Sequence, residues 1–173
     1  MLIKLVLSTL IIGACTFIGY MYSYSYTQRF KELKALYSSI QQLETEIMFT
    51  SSRLVDALHR AGEYSKDSIG RVFIEISNLL STKRGYTVEE AFKITIDKEA
   101  NNLFVLKDDI DIVYNLFLNL GYMDKEHQQS FFKSSYVELE QQKREAYELA
   151  KRYGNMYRKI GALIGIAIVV IFI

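Results

Sequence analysis

Between Tyr26 and Ala57 the apolar residues Leu33, Leu36, Ile40, Leu43 and Ile47 recur at alternating steps of three and four. That spacing gathers side chains on one stripe of an α-helix. Lys31, Lys34, Gln41, Gln42 and Glu46 fall elsewhere on the surface of this first helix. A short second helix is predicted over Arg53 to Ala61, with Leu54, Ala57 and Leu58 inward, Thr50-Ser51-Ser52 offering N-cap hydroxyls and Gly62 as the stop. The third, Asp67 to Thr82, carries Ile69, Val72, Phe73, Ile76, Leu79 and Leu80 and ends at Lys83-Arg84-Gly85. Thr87 and Glu90 then fit a capping box for a fourth helix, Val88 to about Ala100, with Val88, Ala91, Phe92 and Ile96 inward.

The fifth helix, Leu106 to Leu120, places Ile110, Val113, Tyr114, Phe117 and Leu120 on one face, with Gly121 just past its end. Asp124 is the expected cap of a sixth helix running unbroken from Lys125 toward the C-terminus. Its stripe of Phe132, Tyr136, Leu139, Ala146, Ala150 and Tyr153 is interrupted by Gln142 and Lys143, which predicts a stretch standing clear of the core.

At both ends the stripes give way to uniform hydrophobicity. Leu5 to Tyr24 holds no charge, and about 20 residues at about 1.5 Å each cross about 30 Å of hydrocarbon. Tyr20, Tyr22, Tyr24 and Tyr26 cluster at its C-terminal side, where amphipathic rings favour the headgroup level. No Pro separates this segment from the first stripe, so the two read as one rod. The last segment, Ile160 to Ile173, is apolar throughout but reaches only roughly 21 Å, so spanning requires Met156 and Tyr157 to sink in, Arg158 and Lys159 to snorkel, or the bilayer to thin. Gly161 and Gly165 form a small-xxx-small pair for close helix packing, against the first membrane helix or a second copy of the chain. The expected architecture is therefore all-α, a six-helix bundle (26–159) between an N-terminal (1–25) and a short C-terminal (160–173) transmembrane helix.

Charge supplies an orientation. Arg29, Lys31 and Lys34 follow the first apolar segment, and Lys143, Arg144, Lys151, Arg152, Arg158 and Lys159 precede the second, which puts the bundle in the cytoplasm by the positive-inside rule. With 21 basic and 20 acidic residues overall, no nucleic-acid surface is expected. A competing reading starts from Ile12-Gly13-Ala14-Cys15, which looks like a bacterial lipoprotein processing site and would make this a lipid-anchored extracellular helical protein.

Chemistry narrows the choice further. There is no Walker-type phosphate loop, no His/Cys cluster at metal-ligand spacing and no Ser in a nucleophile elbow. His59 and His127 lie far apart, and Asp108, Asp109 and Asp111 suit the positive end of a helix dipole better than a calcium loop. No catalytic residue, cofactor or metal is expected, and the chain reads as a non-enzyme.

The run Leu36-x-x-x-Ile40-x-x-Leu43-Glu44-x-Glu46-Ile47 with Phe49 after it, then Leu54-x-x-Ala57, resembles the stage III sporulation protein AB family of endospore-forming bacteria. So do the break near Gly121, the sixth helix with Leu139, Glu140 and Gln141-Gln142-Lys143, and the glycine-containing apolar C-terminus. The resemblance implies a membrane component of the channel complex between mother cell and forespore. It also implies similarity to the cytoplasmic domain of the inner-membrane platform protein of type II secretion and type IV pilus machines, which meets an assembly ATPase. The partners so implied are a separate cytoplasmic ATPase and other membrane proteins of the complex. Exposed Glu44 and Glu46, with Lys143 and Arg144 on the charged sixth helix, are the candidate partner contacts, and Gly161 and Gly165 the candidate membrane-helix packing residues.

Overall fold

A chain without Pro and with stripes at helical spacing has little reason to form anything but helices. The computed structural model describes residues 2–65, 67–82, 85–120 and 125–172. It contains α1 (Leu2–Met48), α2 (Leu54–Ser65), α3 (Ser68–Ser81), α4 (Val88–Glu99), a 3-10 turn (Ala100–Asn102), α5 (Lys107–Leu120) and α6 (Lys125–Phe172), with no strand among the described residues. Both α1 and α6 are long and apolar enough to cross a membrane. The expected caps Gly121 and Asp124, and the Lys83-Arg84 stop, lie outside the described residues.

The chain forms two compact units: Met1–Phe30 with Arg144–Ile173, and Lys31–Lys143.

The Lys31–Lys143 unit is a helical bundle. Leu33, Leu36, Ile40 and Leu43 of α1 are buried, as are Leu58, Phe73, Ile76, Leu116 and Leu139. Phe117 is the aromatic hub, with Phe73 edge-on at 5.7 Å and Phe92 at 5.3 Å between centroids. Each such side chain contributes about 1.5–3 kcal/mol by leaving water. The capping box forms as expected: the Glu90 amide donates to Thr87 Oγ1 at 3.2 Å and the Thr87 amide to Glu90 Oε2 at 2.9 Å. Asp67 caps α3 by accepting from the Gly70 amide at 3.1 Å.

Several local expectations are corrected. Gly62 does not end α2, which runs on to Ser65. Instead α2 and α3 cross backbone to backbone there: a Cβ on Gly62 would lie 2.6 Å from the Gly70 carbonyl oxygen, and one on Gly70 2.5 Å from that of Gly62. The Ser52 hydroxyl donates to Glu46 rather than serving as the expected cap of α2. On α5 the buried face is rotated from the predicted one, taking in Ile112 and Leu116 while Ile110 and Tyr114 are half-buried. Gln142 and Lys143 do not stand clear of the core either; both are half-buried.

The other unit is an antiparallel pair formed by the outer halves of α1 and α6. Gly19, Gly161 and Gly165 are buried in it. A Cβ on Gly19 would lie 2.5 Å from the Tyr157 carbonyl oxygen, one on Gly161 2.7 Å from that of Cys15, and one on Gly165 2.9 Å from Ile12 Cα. Glycine lets the two backbones approach this closely. Further along, Tyr22 stacks on Tyr157 at 5.7 Å, Tyr26 meets Tyr153 at 5.8 Å and Phe30 meets Tyr147 at 5.3 Å. These pairings set one register, in which residue n of α1 faces roughly residue 177 − n of α6.

Candidate functional site

Three carboxylates of α1, the buried Glu32 and Glu46 and the half-buried Glu44, tie that helix to the rest of the bundle. Glu32 follows the first apolar stretch and falls four residues before Leu36, on the core stripe, where it is only 6% exposed. Its Oε2 accepts from the Phe104 amide at 2.6 Å and the Val105 amide at 3.1 Å, and its Oε1 from Ser68 Oγ at 2.8 Å. One side chain therefore ties the α4–α5 connection and the start of α3 to α1. Asp109, fully buried, accepts from the Leu106 amide at 2.8 Å and so closes the first turn of α5.

Glu46 was expected at the surface and is not: it is 8% exposed, because its two oxygens serve the α1–α2 turn. Oε2 accepts from Arg60 Nη1 at 2.9 Å and Ser52 Oγ at 3.0 Å, and Oε1 from Gln42 Nε2 at 3.3 Å. The turn itself passes through Ser51 at φ 52° and is closed by the Ser52 amide on the Glu46 carbonyl.

Glu44 and Lys143 come together through aromatic rings. Tyr136 Oη donates to Glu44 Oε2 at 2.6 Å, Tyr136 packs on Tyr37 at 5.3 Å, and Lys143 Nζ sits 4.3 Å above the Tyr37 ring while pairing with Glu140. Burial, then the hydrogen bond to Glu44, pushes the Tyr136 hydroxyl far above its ordinary value. Beside this seam an open groove is lined by Glu44, Gln129, Ser130, Lys133 and Tyr136. Arg144 is exposed.

A second groove runs between α4 and α5, floored by Phe92, Ile96 and Ile110 and edged by Lys93, Asp97 and Asp111. At its rim Glu89 Oε1 accepts from Lys93 Nζ at 2.6 Å and Tyr114 Oη at 2.8 Å. These bonds, with Lys93 the larger, hold the Glu89 carboxyl below its ordinary 4.5, and the same pairing holds the Lys93 ammonium above 10.5.

Glu32 is a functional residue absent from the sequence-based set, and its signal there is a carboxylate placed on a core stripe. Sequence reasoning treated Asp109 as one of three equivalent acids, although only Asp109 stands three residues after the turn that it closes. Among the described residues no three His, Cys, Asp or Glu side chains gather where they could hold a metal ion.

Comparison with known proteins places residues 4–173 in a match to the family described as stage III sporulation protein AB. The chain is similar to the protein of that name from Bacillus subtilis (strain 168), at 23% identity over 170 residues covering 98% of this chain and 99% of the relative. A solved structure of stage III sporulation protein AB shares its fold, with a TM-score of 0.65 and 22% identity, covering 71% of this chain and 96% of that one.

Proposed function

This chain belongs to the stage III sporulation protein AB family and has a role in sporulation, and we propose that it acts there as a non-enzymatic membrane adaptor. In this reading the α1–α6 pair sits in the mother-cell membrane facing the forespore. The Lys31–Lys143 bundle lies in the cytoplasm and couples a separate assembly ATPase to membrane partners of the channel complex. The observation that carries the reading is that α1 and α6 each combine a stripe packed in a helical bundle with an apolar stretch, the uncharged Leu5–Tyr24 in α1 and the shorter one after Lys159 in α6.

The proposed partner contacts are Glu44, Lys143 and Arg144, together with the α4–α5 groove, where Asp97 and Asp111 suit a basic partner segment. Glu46, at 8% exposure, offers a partner little surface, whereas Glu44 and Lys143 are half-buried and Arg144 is exposed. Membrane insertion is favoured over lipid attachment at Cys15 because the apolar sequence continues past it to Met21, where a mature lipoprotein turns polar.

The test is cysteine accessibility in intact sporulating cells, in a Cys15→Ser background with Ser81→Cys. Protection of position 81 from a membrane-impermeant reagent is the expected result. Labelling there would put the bundle outside and end the adaptor reading. Deletion is expected to arrest spore development after engulfment begins while leaving vegetative growth normal.

A further inference from the structure

The register of the helix pair carries an inference that rests on the membrane placement proposed above. Leu5 to Tyr24 faces roughly residues 153–172 of α6, so the backbone of Arg158 stands level with Gly19, about one turn toward the apolar side of Ser23. Its side chain runs back toward the tyrosines: Arg158 Nε donates to Ser23 Oγ at 3.0 Å, and the guanidinium lies 5.2 Å from the Tyr20 ring centroid. Ser23 is fully buried, its hydroxyl 3.7 Å from where a Cβ on Gly154 would stand, which is ordinary van der Waals contact. A guanidinium held by Nε over a ring still presents the planar fork of its two terminal nitrogens, the geometry that matches two oxygens of a phosphodiester.

Around Arg158 the charge has one sign; the nearest acidic residue on α6, Glu148, lies about one turn before Lys151 and Arg152. Lys151, Arg152, Arg158 and Lys159 are all exposed, and no acidic residue follows Glu148 in the chain. In the common register these four cations occupy the levels of residues 18–26 of α1, the same levels as Tyr20, Tyr22, Tyr24 and Tyr26. Cations clustered beside a membrane helix favour net-anionic over zwitterionic headgroups, and the interleaved tyrosines fix the depth at which they meet them.

We propose that Arg158, positioned by Ser23 and Tyr20, forms with the adjacent lysines and arginine a binding site for the phosphate of an anionic glycerophospholipid. The site selects its lipid by charge and by the fork, so a zwitterionic lipid carrying the same phosphate binds less well.

The experiment reconstitutes the full chain into vesicles of mixed phosphatidylcholine and phosphatidylglycerol. It is then extracted in mild detergent, and the co-purifying lipid is measured by mass spectrometry. Phosphatidylglycerol is expected to be enriched over its share of the mixture, by about five-fold for each strongly engaged cation. Arg158→Gln should remove most of that enrichment. Ser23→Ala, which changes no charge, should lower it, and Arg158→Lys should fall between wild type and Arg158→Gln. Lys34→Gln, an equal loss of charge in the bundle, should leave it unchanged.

Equal retention of both lipids by the wild type overturns the proposal, as does full enrichment in Arg158→Gln. If Arg158→Gln loses its helical circular dichroism, Ser23→Ala and Arg158→Lys decide the matter, and wild-type enrichment in both overturns the site. A chain that stays in solution without detergent overturns the membrane placement itself, a result distinct from insertion without lipid preference.

Discussion

Removing Glu32 by Glu32→Ala strips two backbone amides, Phe104 and Val105, and one hydroxyl, Ser68, of their common acceptor. Hydrogen bonds to a charged group contribute about 1.5–3 kcal/mol each, and a buried donor left without a partner costs about 1–3 kcal/mol. The Ser68 hydroxyl can turn to water, so the two amides dominate, and the expected loss is about 2–4 kcal/mol. Against a usual total of about 5–15 kcal/mol this is a large fraction. In a domain of this size it lowers the thermal midpoint by about 10 °C.

Glu32→Gln keeps one carbonyl oxygen for both amides but puts an NH2 donor where the Ser68 hydroxyl had an acceptor; that hydroxyl can turn to accept instead, so about 1 kcal/mol is expected. The assay is urea unfolding of residues 27–159, followed by far-ultraviolet circular dichroism. This segment contains the whole Lys31–Lys143 unit and is expected to be soluble and strongly helical. A Glu32→Ala variant within about 0.5 kcal/mol of wild type, with an unchanged slope, would mean that water satisfies both amides and would refute the clamp.

At the α2–α3 crossing, Gly62→Ala must push against the Gly70 carbonyl and Ile74 Cγ1, both at 2.6 Å, so a loss of about 1–3 kcal/mol is expected. Gly13→Ala meets nothing within 4 Å and should be neutral or slightly stabilising in the full chain, and equal effects at the two sites would sink the packing argument. For the Glu89–Lys93 pair the folded carboxyl titrates below its unfolded value and the folded ammonium above. Its contribution is therefore lost as pH falls through the depressed carboxyl value, and again as pH rises through the elevated ammonium value. Both groups are exposed and screened by salt, so the readout is the titration itself. Lys93→Met should move the Glu89 carboxyl, followed by carbon-13 chemical shift, back toward 4.5; an unmoved Glu89 would contradict the assignment.

How far the sequence could be read depends on what each residue answers to. Leu33, Leu36, Ile40 and Leu43 were legible because burial follows period, and Thr87 with Glu90 because a capping box is local. Gly62 misled because a glycine at the end of a short stripe has the same local signature as a stop. Its actual constraint, the Gly70 carbonyl, comes from another helix. Glu46 misled for a related reason: a carboxylate that takes three donors from α1, the turn and α2 is indistinguishable, in one dimension, from one facing water. Lys143 lies over Tyr37, more than a hundred positions away in the chain. The Gly161 and Gly165 spacing was visible, but only the register identified Gly19, Cys15 and Ile12 as what they meet.

The reciprocal contact of Gly62 and Gly70 also has a historical dimension. Each glycine obstructs replacement of the other, since a methyl group at either one strikes the backbone of its counterpart. A lineage cannot leave this arrangement one substitution at a time without first parting the two helices. Once they have parted, nothing holds either position to glycine. Descendants of a common ancestor should therefore fall into two groups, one keeping both glycines and one keeping neither, with few sequences between.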